Sequence, residues 1–150
     1  MCSDPTFPDP AFPRLVLDTN IVLDLFLFHD PATRALQCAM EQGQLQWVAT
    51  APMREELARV LGYGAIGKCL AQQAVVAEQV LAAFDAQAQI VAVAPKASVT
   101  CQDPDDQKFI DLAVTHQATL LSKDKAVLCM KKRLLALDVK ASVAIDSIVI

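Results

Sequence analysis

The stretch Arg14-Leu-Val-Leu-Asp-Thr-Asn-Ile21 contains the change of pattern that decides the fold. Leu15 to Leu17 is a short apolar run of the kind that forms a buried strand, and Asp18 stands where it ends. Thr19, Asn20 and the apolar residues Ile21 to Phe28 then read as a helix. A buried strand running straight into a helix is the building unit of a parallel α/β sheet. Ligands of such sheets gather at the carboxyl ends of the strands. At that position Asp18 is either a helix cap or the first member of a site.

Working outward, Asp30-Pro31 opens a second helix that ends at Gly43, and Gln46 to Ala49 reads as a strand. Thr50 caps the next helix, with Pro52 in its first turn, until Gly62, Gly64 and Gly67 break the chain. A long helix is expected over 69–86, a strand over 89–93 and a helix from Asp103-Pro104 to about His116. A strand over 119–122 follows, then a helix over 126–137. A last strand is expected from 141–145 and 148–150. This order predicts a three-layer α/β/α fold around a central, largely parallel sheet. Right-handed crossovers bring the ends of strands 14–17 and 119–122, and with them Asp18 and Asp124, to one end of that sheet. Residues 1–13 hold four prolines and read as an irregular arm, so the domain is expected over 14–150.

The chain is long enough, at 150 residues, to bury a core without disulfides or a structural metal. No apolar run reaches the roughly 18 residues of a membrane span. No basic region followed by an apolar core opens the sequence, so a cytoplasmic protein is expected. The five cysteines are odd in number and form no C-x-x-C pair, which points to reduced thiols and not to zinc. His29 and His116 stand alone and read as structural. A net charge of −4 argues against broad electrostatic binding of nucleic acid. Yet six of the thirteen basic residues fall between Lys108 and Arg133, a local rim suited to a phosphate backbone.

Asp124, in Leu120-Leu-Ser-Lys-Asp124, repeats the setting of Asp18: apolar strand, acid, helix. Ser122 adds a hydroxyl beside it. In Asp103-Pro-Asp-Asp-Gln-Lys-Phe109, Asp103 and Asp105 are explained by capping and the helix dipole. Asp106 differs, because it falls beside the inward stripe of Phe109, Ile110 and Ala113. On the helix after Thr50, the apolar face of Met53, Leu57, Val60 and Leu61 lies opposite Glu55 and next to Glu56. Asp18, Glu56, Asp106 and Asp124 are therefore expected to point one way. Four carboxylates held together raise one another's pKa values. A divalent cation relieves this, and oxygen ligands select Mg²⁺ or Mn²⁺. No P-loop, G-x-G-x-x-G or nucleophilic triad competes. A haloacid-dehalogenase-like site would need D-x-D after the first strand, where Asn20 stands.

Leu17-Asp-Thr-Asn20, Glu55-Glu-Leu-Ala-Arg-Val-Leu61, Asp103-Pro-Asp-Asp-Gln-Lys-Phe109 and Ser122-Lys-Asp124 resemble, in that order, the motifs of PIN-domain ribonucleases. The resemblance is greatest to the bacterial VapC-like group described as toxin components of type II toxin–antitoxin systems. It implies a Mg²⁺- or Mn²⁺-dependent endoribonuclease that hydrolyses RNA through metal-activated water, leaving a 5′-phosphate and a 3′-hydroxyl. Asp18, Glu56, Asp106 and Asp124 would hold the metal. Asn20 and Ser122 would orient those ligands, and Asp103 is an auxiliary candidate. Lys123 and Lys125 are candidate phosphate contacts. The resemblance also implies an antitoxin partner and a homodimer, with the apolar helices 19–28 and 69–86 as interface. Ala126 stands where relatives often carry a second acid. With the sequence pI near 5.0, this leaves open an alternative: a catalytically weak or inactive PIN-fold module that binds RNA or protein.

Overall fold

The computed structural model describes residues 13–144. Five strands form one sheet: β1 (Arg14–Leu17), β2 (Gln46–Ala49), β3 (Ala88–Ile90), β4 (Thr119–Leu121) and β5 (Ala141–Ser142). Their order is β3-β2-β1-β4-β5, and every neighbouring pair is parallel. The register sets Leu15 beside Trp47 on one side and Leu17 beside Leu121 on the other. Strand order reverses at β1, so the chain winds away from it in both directions. Right-handed crossovers then place successive helices on opposite faces of the sheet.

The helices are α1 (Thr19–Phe26), α2 (Arg34–Glu41), α3 (Ala51–Leu61), α4 (Gly64–Gln72) and α5 (Ala77–Gln87) on the β1-to-β3 side of the winding. On the return side lie α6 (Gln107–His116), α7 (Lys125–Leu128) and α8 (Lys131–Leu135). Helices α1, α3 and α5 pack on one another, α6 packs on β1 and β4, and α7 and α8 pack on β5. The result is the expected three-layer α/β/α fold. Trp47 centres the first layer: its ring lies 6.0 Å from that of Phe26 and meets Phe84 edge-on at 4.9 Å. Such aromatic contacts add about 0.5–1.5 kcal/mol beyond the area they bury.

Several boundaries differ from the sequence reading. The helix expected over 69–86 is two helices, because Ala74 takes a left-handed conformation at φ +55° and turns the chain. Gly64 and Gly67 lie inside α4, and Gly62 alone of the three caps a helix end. The helix expected over 126–137 is divided into α7 and α8. Before α2 and α6 the chain makes a 3₁₀ turn, Pro31–Thr33 and Pro104–Asp106, in which Pro presets the first turn. The apolar residues of α1, from Ile21 to Phe26, are buried in the chain's own core, so this helix offers no free dimer face. The segment 148–150 and, apart from Pro13, the arm over 1–13 lie outside the described residues. Among the described residues no helix is long and apolar enough to cross a membrane.

Candidate metal centre

The reversal of strand order at β1 opens a crevice between the carboxyl ends of β1 and β4, the usual place for a ligand in an open parallel sheet. The ladder between these strands extends one residue further, with the Asp18 amide donating to the Leu121 carbonyl at 2.9 Å. Asp18 therefore emerges directly beside Ser122. It occupies the N-cap position of α1, yet its side chain makes no capping hydrogen bond. Its carboxylate instead accepts from the Ser122 hydroxyl at 2.6 Å, across the strand boundary. Ser122 is wholly buried and also accepts from the Asp124 amide at 3.0 Å, so one hydroxyl ties both acids together.

Asp124 caps α7 through its Oδ1, which accepts from the Ala126 amide at 2.9 Å. Asp106 closes the 3₁₀ turn that leads into α6, whose Phe109, Ile110, Leu112 and Ala113 are buried. Asp18, Asp106 and Asp124 each present a ligand atom within 4.8 Å of the others. Burial pushes the Asp106 carboxyl up to about 8, helped by hydrogen bonding with Asp124 and by the charges of Asp18, Asp124 and Asp103. Burial also raises Asp18, while the bond from Ser122 works against the rise and the charges of Asp124 and Glu56 add to it. Asp106 Oδ2 is buried and meets no N–H or hydroxyl donor, so its approach to Asp124 becomes a hydrogen bond only when one of the two carboxyls holds a proton. A buried carboxylate with one oxygen lacking a donor, grouped within 4.8 Å of two further acids, fits a cation with hard oxygen preference.

Glu56 stands beside this group and not within it. On α3 it is half-buried while Glu55 is exposed, and its carboxylate accepts from the Thr19 hydroxyl and pairs with Lys108 Nζ at 2.5 Å. Lys108 also donates to the Asp105 carbonyl, which holds the ammonium close to the acids. Asp103 makes the capping bond expected of it, accepting from the Asp105 amide at 3.0 Å. Asn20 Oδ1 accepts a long bond of 3.5 Å from the Lys123 amide. Lys125 is exposed at the start of α7. Lys123 is committed elsewhere, to Asp24 on α1 at 2.5 Å.

Sequence reasoning missed Thr19 and Asp24, and placed Lys108 in the basic rim without its pairing to Glu56. For Asp24 a signal existed, since it is the one charged residue in the apolar run Ile21–Phe28. Thr19 and the pairing of Lys108 become notable only once α3 is placed against α1 and α6. The described cysteines, Cys38, Cys69, Cys101 and Cys129, are free thiols. His116 Nδ1 lies 3.1 Å from Arg14 Nη1, a structural contact remote in sequence.

Comparison with known proteins gives a match to the PIN domain family model over residues 14–126. No curated protein sequence matches the chain. Among solved structures, a chain of VapBC2 from Rickettsia felis, crystallised with a DNA fragment from its promoter, is similar in fold. It superposes with a TM-score of 0.59 at 14% identity, over 85% of this chain and 98% of that one.

Proposed function

Since the chain belongs to the PIN-domain family, we propose that it is a divalent-metal-dependent endoribonuclease whose centre is built on Asp18, Asp106 and Asp124. The observation that carries this reading is the packing of three carboxylates within 4.8 Å at the β1/β4 crevice, one oxygen of Asp106 being buried and partnerless. Such an arrangement is costly for an uncharged purpose, since buried like charges need an opposite charge beside them. A bound Mg²⁺ or Mn²⁺ would supply that charge, neutralise the scissile phosphate and acidify an attacking water.

The chain's own residues divide the remaining work. Ser122 fixes the Asp18 carboxylate and the Asp124 backbone relative to one another. Asp106 keeps a proton at neutral pH in the absence of a cation and gives it up when one binds. Glu56 is the fourth acid, with Thr19 and Lys108 holding its carboxylate at the edge of the cluster. Lys108 acts as an internal counter-ion. Asn20 steadies the segment after β4, and Asp103 caps the 3₁₀ turn that leads into α6. Of the two lysines flanking Asp124, Lys125 is the free one and is assigned to the phosphate backbone of RNA.

The reading extends to a toxin of a type II toxin–antitoxin pair, acting in the cytoplasm and blocked by an antitoxin. Its support is the fold shared with the VapBC2 chain. Self-association as a homodimer is assigned to α4 and α5, whose N-cap residues Tyr63 and Val76 are exposed, and not to α1. The test is product chemistry. Purified protein incubated with single-stranded and structured RNAs in Mn²⁺ or Mg²⁺ is expected to give 5′-phosphate ends, with matched single-stranded DNA left uncut and EDTA abolishing the reaction. RNA binding without cleavage under every metal condition would favour the inactive module.

A further inference from the structure

Asp24 is 6% exposed on a helix otherwise devoted to the core, and a lone buried carboxylate there is expensive unless paired. Its partner, Lys123, is the single residue that links Ser122 to Asp124. The two groups meet at 2.5 Å, while the lysine's own side chain stays 46% exposed. A half-exposed lysine has ample water as an alternative, so the pairing is not forced by burial of the lysine. The same link is tied to the β1–α1 corner at two further points, Ser122 to Asp18 and the Lys123 amide to Asn20. Each tie bridges the two segments that carry Asp18 and Asp124.

We propose that Asp24 and Lys123 form a latch that positions Asp124 against Asp18, with Asp24 a positioning residue that touches neither metal nor substrate. Without the latch, the link between β4 and α7 is held to α1 only by the Ser122 bond and the long Asn20 contact. Asp124, still tied through its backbone to Ser122, then varies more in its distance to the other acids, and the cluster loses affinity for a cation. Outer residues that hold ligands in place typically account for roughly tenfold or more in metal affinity.

Because this rests on the metal-centre reading, the test separates the two. Mn²⁺ affinity is measured calorimetrically for the wild type, Asp24→Asn, Lys123→Gln and the double variant. Simple electrostatics makes Lys123→Gln bind Mn²⁺ more tightly, since a positive charge near the cluster is removed. The latch gives the opposite sign: roughly tenfold weaker binding in each single variant, and no further loss in the double. Lys123→Arg, which keeps charge and reach, is expected to restore most of the affinity. Tighter or unchanged binding by Lys123→Gln overturns the latch while leaving the metal centre standing.

If the wild type binds no Mn²⁺, the metal reading fails, and the latch is judged by amide exchange. Lys123 and Asp124 amides are expected to exchange at least tenfold faster in Lys123→Gln than in the wild type. Equal protection overturns the proposal. Should Asp24→Asn fail to fold, Lys123→Gln carries both measurements, its side chain being largely in solvent.

Discussion

Asp106 carries the most information of any single residue. Its carboxyl stands at about 8 in the folded chain, against an ordinary value of 3.8, with burial as the first cause. Between these values the folded protein keeps a proton that the unfolded chain has released. The stability contributed by this group is therefore complete below about pH 4 and is lost as pH rises toward 8. Asp18, raised by burial, acts in the same direction. The metal-free protein is thus expected to melt at a higher temperature at pH 6 than at pH 8, and Asp106→Asn to flatten that slope. Cation binding must expel the same proton, so Mn²⁺ affinity should climb by about tenfold per pH unit up to pH 8. Calorimetry in buffers of different ionisation enthalpy checks this through release of about one proton at pH 6–7. A flat profile would mean that Asp106 faces no cation. Residues announced by local pattern were readable in the sequence: Asp18 and Asp124 by an acid after a buried strand, Glu56 over Glu55 by the helix face. The ties among them were not, because Thr19–Glu56, Lys108–Glu56 and Lys123–Asp24 join residues far apart in the chain.

At the scale of elements, the largest error of sequence reading, a single helix over 69–86, has a clear physical source. Helices α2, α4, α6 and α8 are each closed by a left-handed residue that lets two backbone amides reach back to the last carbonyls. Gly43 does this at φ +71°, and glycine made that stop visible. Ala74, Gln117 and Asp138 do the same at φ +55°, +49° and +62° without a glycine to signal it. At Ala74 the Val75 amide reaches the Leu70 carbonyl at 2.9 Å and the Ala74 amide the Ala71 carbonyl at 3.2 Å. Leu70 is buried and Val75 packs against the core, so tertiary burial overrides the helix preference of the Ala/Val/Gln run. An L-residue in that conformation costs about 1–2 kcal/mol, part of which glycine returns as extra freedom of the unfolded chain. Ala74→Gly is accordingly expected to raise stability by about 0.5–1 kcal/mol in urea denaturation, with cleavage unaltered. A loss of stability would show that the methyl group contributes more by packing than the backbone loses by strain.

Across the whole molecule, the order β3-β2-β1-β4-β5 is what brings acids scattered along the chain together. It sets β1 beside β4 although most of the chain lies between them. Winding in opposite senses from β1 then leaves a crevice where α1, α6 and α7 all begin near the same point. The fold class followed from the alternation of strands and helices in the sequence, and crossover handedness already implied that Asp18 and Asp124 share an edge. That Glu56 would stand apart from the other three, answered by Lys108, depends on how α3 lies against α1, which periodicity does not describe. These carboxylates are proposed to form a metal-dependent RNA-cutting centre. Its most direct test is the rate of RNA cleavage by wild type and Asp18→Asn, side by side in Mn²⁺, with thermal melting to establish that the variant is folded. Cleavage by the wild type with a loss of at least a hundredfold in the folded variant is the expected result. A folded Asp18→Asn that cuts RNA as fast as the wild type would contradict it.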